Sequence, residues 1–182
     1  MGKKRARSIS EIRKIAEEIL REAGITEPPV PVELIAKKLG ATIRYSPFKG
    51  ELAGMLIRNK EKGTAMIGVN SLDHHNRQRF TIAHECGHLR LHQGKPAFVD
   101  RSFRIDRRNE LSSRATDFEE IEANRFAAEL LMPYYMIRND LMEYSLDIED
   151  ETELRELANR YSVSFQALMF RIQNVAQGVL LF

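Results

Sequence analysis

Residues 79–92 read Arg79-Phe80-Thr81-Ile82-Ala83-His84-Glu85-Cys86-Gly87-His88-Leu89-Arg90-Leu91-His92. Apolar and small residues recur in this stretch at intervals of three and four, which is the period of an α-helix. They are Phe80, Ala83, Gly87 and Leu91. Because residues four apart project from one helix face, His84 and His88 stand side by side, about 6 Å apart along the axis. The stretch predicts a helix of about five turns that presents two imidazoles together.

Two imidazoles on one helix face are a common pair of zinc ligands. Glu85 is rotated by about 100° from His84 and about 60° from His88, so its carboxylate lies beside a bound metal without binding it. A general base that removes a proton from water occupies such a position. The pattern also arises by chance in on the order of one percent of chains like this one, so a third ligand has to be found elsewhere in the sequence.

Residues 117–131 predict a second helix, and three of its glutamates are candidates for that ligand. The apolar stripe of this helix consists of Ala123, Phe126, Ala127, Leu130 and Leu131. Glu119 and Glu120 both fall near the stripe, whereas Glu122 points away from it. A carboxylate directed at packed apolar surface costs several kcal/mol unless a cation compensates it. Asn124 lies one turn beyond Glu120 and could hold a metal-bound histidine, which favours Glu120.

His92 lies two turns beyond His84 on a similar face and is an alternative third ligand. In the known arrangement with three histidines, the third follows the first by ten residues and a glycine precedes it by two, whereas the offset here is eight. We therefore expect His92 to support a ligand or to pack. Cys86, the single cysteine, projects from the opposite side and is expected to be a buried packing thiol.

The rest of the chain predicts an α+β fold. Helical periodicity marks 9–23 and 32–39, and three short β-rich stretches follow at 41–45, 52–57 and 64–69. We expect these three to form a small, mostly antiparallel sheet packed on a helical core that carries the candidate metal ligands. The edge of the third strand is a candidate docking site for an extended substrate.

The C-terminal third predicts three more helices, near 134–143, 150–160 and 164–176. The last two resemble a helix-turn-helix. We expect one domain over residues 1–182. Within it we distinguish a basic leader at 1–8, a long polar loop at 94–116 and a helix-turn-helix-like subregion at 145–176.

Composition limits the classes of protein that remain. The chain has 182 residues, 43% hydrophobic and 30% charged, with a net charge of +2, which suits one folded core and gives no electrostatic signature of a nucleic-acid binder. No apolar run approaches the roughly 20 residues of a membrane span. With one cysteine and no signal sequence, we expect a cytoplasmic protein without disulfides.

Three segments of the chain together resemble the ImmA/IrrE-type metallopeptidases, which are similar in design to the gluzincins. They are Pro28-Pro29-Val30-Pro31-Val32-Glu33, Arg77 to Leu89 with His92, and Glu120-Ile121-Glu122-Ala123-Asn124 continuing to Pro133. The resemblance implies that Glu120 is the third zinc ligand and Asn124 its downstream polar partner. Cys86 departs mildly from the aliphatic residue that is commoner after the glutamate.

The resemblance further implies a zinc-dependent endopeptidase with Glu85 as general base, which cleaves a helix-turn-helix repressor and so derepresses stress or mobile-element genes. One alternative is a zinc-containing protein that sequesters the repressor without cutting it. Another is a DNA-binding regulator that uses 154–172. The presumed recognition helix of that segment carries one cation, Arg171, and acidic residues that would repel phosphate precede it, so we expect little direct DNA binding.

Overall fold

A computed structural model describes residues 5–48, 52–59, 61, 63–92, 97–100, 114–143 and 150–179. Within these ranges the chain forms seven helices and four strands, so the fold class is α+β as the sequence predicts. The elements are α1 (Ile9–Ala23), α2 (Val32–Lys38), β1 (Ala41–Ser46), β2 (Gly54–Asn59), β3 (Thr64–Asn70), α3 (His75–Leu91), β4 (Ala97–Asp100), α4 (Arg114–Leu131), α5 (Tyr134–Glu143), α6 (Glu151–Tyr161) and α7 (Phe165–Val179).

The sheet has the strand order β1-β3-β2-β4. β1 runs parallel to β3, whereas β2 is antiparallel to both β3 and β4. The prediction of a three-stranded, mostly antiparallel sheet is therefore wrong in two respects, since the sheet is mixed and gains a fourth strand. The reason is that the chain leaves β1, skips one position for β2 and returns between the two as β3. Local alternation of residues marks strands but does not reveal their neighbours.

β3 lies in the middle of the described sheet, and both of its edges are hydrogen-bonded, to β1 on one side and β2 on the other. Its residues are accordingly buried from Ile67 to Asn70. The prediction that the edge of this strand receives a substrate is wrong, because an added strand needs unpaired backbone groups. Among the described strands, the outer positions belong to β1 and β4.

The predicted polar loop at 94–116 is only partly described. Ala97–Asp100 forms β4 by pairing with β2, and α4 begins at Arg114, so the loop prediction is wrong for these residues. The strand was missed because it depends on backbone hydrogen bonds to residues about forty positions earlier, which periodicity does not show. The remainder of the predicted loop lies outside the described residues.

α1 begins at a capping box, in which the Ser8 hydroxyl accepts from the Glu11 backbone and the Glu11 carboxylate accepts from the Ser8 backbone. It ends at Gly24, whose φ of 70° is the left-handed conformation that glycine adopts without strain. Its apolar face packs against α2 and α4. The N-terminal segment is thereby held next to the helix that carries the candidate glutamates.

α3 is the central helix, packed between the sheet and α4, and its residues from Thr81 to His88 are all buried. The crossing with α4 is close at Gly87. A Cβ atom at this position would lie 3.1 Å from the Cα atom of Ala123 and 3.2 Å from its carbonyl oxygen. Small residues on both helices therefore bring the two candidate ligand-bearing faces together.

The C-terminal helices α6 and α7 are joined through Ser162, which has a positive φ of 51°. Buried hydrogen bonds attach this pair to the rest of the molecule. Arg79 of α3 donates to the Ser162 carbonyl at 3.2 Å, and Tyr161 donates to Asp140 of α5 at 2.6 Å. None of the helices in the described ranges is long and apolar enough to cross a membrane.

Candidate metal centre

Three donor groups from α3 and α4 meet at one point. The Nε2 atoms of His84 and His88 are 2.9 Å apart, and they lie 3.2 and 3.3 Å from the two carboxylate oxygens of Glu120. Both imidazoles are almost completely buried, while Glu120 is partly exposed. Among the described side chains, this cluster contains Glu120 and not Glu119, the other candidate.

The donor set fits a zinc ion in both chemistry and size. Two imidazoles and one carboxylate form a ligand set that catalytic zinc sites use, with the fourth position left for water. Zinc binds such atoms at about 2.0–2.1 Å, so ligands in a tetrahedral arrangement are separated by roughly 3.3 Å. The observed separations of 2.9, 3.2 and 3.3 Å are within a few tenths of that value.

The protonation states also suit metal binding. Burial lowers the pKa of His88 to about 4, and repulsion from His84 and His92 acts in the same direction. Burial alone would raise the pKa of Glu120, but its contacts with the imidazoles of His84 and His88 outweigh burial and hold the pKa well below its usual range. At neutral pH the cluster therefore offers a neutral His88 imidazole and an ionised carboxylate, as metal ligation requires.

Glu85 is fully buried and faces the start of β2. Its Oε1 atom lies 3.3 Å from the place that a Cβ atom on Gly54 would occupy, and that same Cβ would come within 2.3 Å of Thr81. Only glycine lets the strand approach this closely. Arg58, further along β2, donates to the His88 carbonyl at 2.6 Å and is attracted electrostatically by Glu85.

Asn124 holds the ring of His84 from behind. The Nδ1 atom of His84 lies 2.9 Å from the Asn124 side-chain oxygen. With a metal bound at Nε2, the proton of His84 would sit on Nδ1 and be donated to that oxygen. The sequence-based prediction places Asn124 in this same role, one turn beyond Glu120.

His92 lies behind His88 and is not part of the three-donor cluster. Its Nδ1 atom is 3.0 Å from Nδ1 of His88, and its Nε2 atom is 3.0 Å from the carboxylate of Glu122. His92 is 2% exposed. The structure therefore places His92 where it supports a ligand, which the sequence favours over a third-ligand role.

Glu122 is the site residue that sequence reasoning missed. It points away from the apolar stripe of α4, yet it is only 5% exposed because the segment before α1 folds over it. Arg7 donates to it from its backbone nitrogen at 2.6 Å and from Nη1 at 2.7 Å. The partner is 115 positions away in sequence, so no local pattern signals this contact.

Cys86 lies between His84 and His88 in sequence, and its side chain is buried on another face of α3. Burial, with the charge of Glu85 as a second cause, raises the pKa of its thiol far above the usual value. A thiol held in the protonated form neither binds metal nor acts as a nucleophile at neutral pH. The structure thus places Cys86 as a packing residue, as expected.

The fold is similar to that of a solved transcriptional regulator from Mycobacterium tuberculosis, with a TM-score of 0.56. The likeness covers 87% of this chain and 45% of that chain, so this chain spans less than half of the regulator's length. Sequence identity is 16%, and at that level the likeness concerns the fold alone. Among curated proteins, none matches this sequence.

Fold and site together define an α+β protein with a His-Glu-x-x-His helix and a glutamate supplied by the neighbouring helix. Residues 36–173 match the model of the IrrE N-terminal-like domain family, Peptidase_M78, and the chain belongs to this family. The resemblance noted in the sequence is thereby confirmed. The family supports a protease and metal-binding theme for the chain.

Proposed function

We propose that this chain is a zinc-dependent endopeptidase. The observation that carries the proposal is the convergence of His84, His88 and Glu120 at 2.9–3.3 Å, on the helix that also holds Glu85. A zinc ion held by these three residues would polarise the scissile carbonyl and lower the pKa of a bound water. Membership of a peptidase family supports the same activity.

Glu85 is the proposed general base. Its carboxylate accepts the proton of the attacking water and later delivers it to the leaving amine. The Glu85 carboxylate is buried between α3 and β2, which restrains its movement. Electrostatic attraction to Arg58 adds to this restraint. His84 and His88 are held in turn by Asn124 and His92, so the chain's own residues orient the whole site.

We further propose that the substrate is a helix-turn-helix repressor, cut in the cytoplasm so that stress or mobile-element genes are expressed. The support is the family resemblance, together with the fold likeness to a protein described as a transcriptional regulator. A second candidate with the same site is sequestration of the repressor without cleavage.

Direct DNA binding by α6 and α7 finds little support in the described side chains. Arg171, the cation of α7, is 6% exposed and pairs with Glu129 at 2.9 Å. A guanidinium that is buried against a carboxylate does not neutralise a phosphate. An electrophoretic shift with duplex DNA at moderate salt tests this, and a specific shift would favour the regulator.

The test of the general base is Glu85→Gln. We expect the variant to bind zinc like the wild type and to cut a co-purified repressor at least about 100-fold more slowly, because the proton acceptor is lost. Mass spectrometry of the repressor and a zinc titration give the two measurements. Glu119→Gln, on α4 but outside the donor cluster, is the matched control and should keep both properties.

Full activity of Glu85→Gln would overturn the assignment. Cleavage and sequestration are separated by incubating the wild type and the repressor with zinc or with chelator. Fragments that form only with zinc support the peptidase, whereas a stable complex with intact repressor in both conditions supports sequestration.

A further inference from the structure

We propose that Arg7 is a positioning residue of the metal centre. By holding Glu122 in place, it fixes the ring of His92, which in turn orients the imidazole of His88 for the metal. The inference rests on the metal site of the proposed function, but it does not depend on peptide cleavage.

A continuous line of hydrogen bonds leaves the back of His88. Nδ1 of His88 lies 3.0 Å from Nδ1 of His92, and Nε2 of His92 lies 3.0 Å from Oε2 of Glu122. The same oxygen receives a bond from Nη1 of Arg7 at 2.7 Å. His88, His92 and Glu122 are each at most 5% exposed, so water competes little for these bonds.

The direction of each hydrogen bond is determined by its neighbours. Because Nε2 of His88 faces the metal donors, the proton of its neutral ring sits on Nδ1 and is donated to His92. Nδ1 of His92 is then an acceptor, so the proton of His92 sits on Nε2 and is donated to Glu122. An ionised carboxylate has only acceptor atoms, so Glu122 accepts this proton whichever of its two oxygens faces His92.

Arg7 holds that carboxylate in place at both oxygens. Its backbone nitrogen donates to Oε1 at 2.6 Å while its guanidinium donates to Oε2 at 2.7 Å. The other guanidinium nitrogen donates to the Leu91 carbonyl at the end of α3, at 2.9 Å. One arginine therefore joins the segment before α1 to both metal-binding helices.

The positive charge of Arg7 also stabilises the Glu122 carboxylate in its buried position. The Glu122 side chain is 6% exposed, and a buried carboxylate that loses its cationic partner is strongly destabilised, so without Arg7 this side chain would turn toward solvent. His92 would then lose the acceptor at Nε2 that holds its ring, and with it the fixed orientation in which it contacts Nδ1 of His88. Partners of this kind behind metal-bound histidines typically contribute 10–100-fold to metal affinity.

The experiment measures zinc affinity by competition with a chromophoric chelator for the wild type, Arg7→Ala, Arg7→Lys and Glu122→Gln. We expect about 10–100-fold weaker binding for Arg7→Ala and Glu122→Gln, and partial recovery for Arg7→Lys, which retains the charge. Arg5→Ala is the matched control, because Arg5 pairs with Glu11 in an exposed position and should leave the affinity within about two-fold.

A second measurement separates positioning from a general loss of structure. Long-range proton–nitrogen NMR spectra of the imidazoles report the tautomers of His88 and His92 in the zinc-loaded protein. We expect Nε2 of His92 to carry the proton in the wild type and in Arg5→Ala, and a mixture of His92 tautomers in Arg7→Ala, whereas zinc at Nε2 keeps the proton of His88 on Nδ1 in all of them. A residue that merely stabilises the fold would lower the melting temperature without this change.

Zinc affinity and tautomers in Arg7→Ala and Glu122→Gln that equal those of the wild type would overturn the inference alone. A wild type that fails to bind zinc would overturn the proposed function along with it.

Discussion

The buried imidazole of His88 couples the metal centre to the stability of the metal-free protein. In an unfolded chain a histidine titrates near 6.5, whereas burial lowers the pKa of His88 in the fold to about 4. Between these two values the unfolded chain takes up a proton that the folded chain does not. The contribution of His88 to stability is therefore complete above about pH 6.5 and is lost as the pH falls toward 4.

We expect the metal-free protein to lose stability through this window, and Glu120, whose pKa is also lowered, to add to the loss at the acidic end. Urea denaturation in the presence of chelator, at about pH 7.5 and about pH 5, measures the effect as a lower midpoint at the acidic pH. His88→Asn should show a shallower decline. Equal midpoints for the wild type at both pH values would contradict the expectation.

At this scale the sequence predicts the positions that depend on one helix or on two adjacent helices. His84, His88 and Asn124 follow from helical spacing, whereas the apolar stripe of α4 leaves Glu119 and Glu120, between which Asn124 favours Glu120. Glu122 could not be predicted in the same way, because its burial depends on Arg7. A helical wheel compares a residue only with its own helix, so it cannot predict that a distant segment covers a polar face.

At the scale of elements, the crossing of α3 and α4 sets the distance between the histidines and the glutamate. Gly87 lies at the contact, where an added methyl group would meet the backbone of Ala123 at 3.1–3.2 Å and the ring of Phe126 at 3.2 Å. These neighbours are mostly backbone, so the two helices would have to move apart. Glu120 and Asn124 would move with α4.

We therefore expect Gly87→Ala to weaken zinc binding more than it weakens the fold. The overpacking costs about 1–3 kcal/mol, but alanine recovers about 1 kcal/mol of helix propensity, so the net loss of stability is at most about 2 kcal/mol. Chelator competition and thermal denaturation give the two values. A variant that binds zinc as tightly as the wild type would show that the crossing tolerates the methyl group.

The strands show why element types are easier to predict than their arrangement. β1, β2 and β3 lie close to the predicted positions, since β-branched and apolar residues between turn signals mark them locally. Their order and the addition of β4 depend on which backbone edges meet. β4 pairs with Gly54 to Ile57 of β2, a contact that no composition signal in 97–100 specifies.

At the scale of the whole molecule, polar contacts of buried side chains attach α7 to α4 and α1. Arg171 of α7 pairs with Glu129 of α4 at 2.9 Å and donates to the Met132 carbonyl at 2.8 Å. Arg13 of α1 also reaches Glu129, at 3.4 Å. Glu129 thus joins the first helix, the fourth and the last.

We expect Arg171→Met to lower the free energy of unfolding by about 3 kcal/mol, the lower end of the range for breaking a buried ion pair, because Arg13 still partly compensates Glu129. Urea denaturation measures it. Arg155→Met, which removes an exposed pair with Glu151, is the control and should change stability little. The double variant Arg171→Met with Glu129→Met should be less destabilised than Arg171→Met; an equal or greater loss would contradict the reasoning.

The buried thiol of Cys86 makes transient opening of the fold measurable by alkylation. The thiol is inaccessible and protonated in the fold, so an alkylating reagent reacts only during excursions that expose α3. Cys86 lies two residues from both His84 and His88, so its alkylation rate reports how often the part of α3 that carries the candidate metal ligands becomes exposed. Bound metal would lower the alkylation rate. The ratio of the rates with and without metal would give the factor by which the metal suppresses opening.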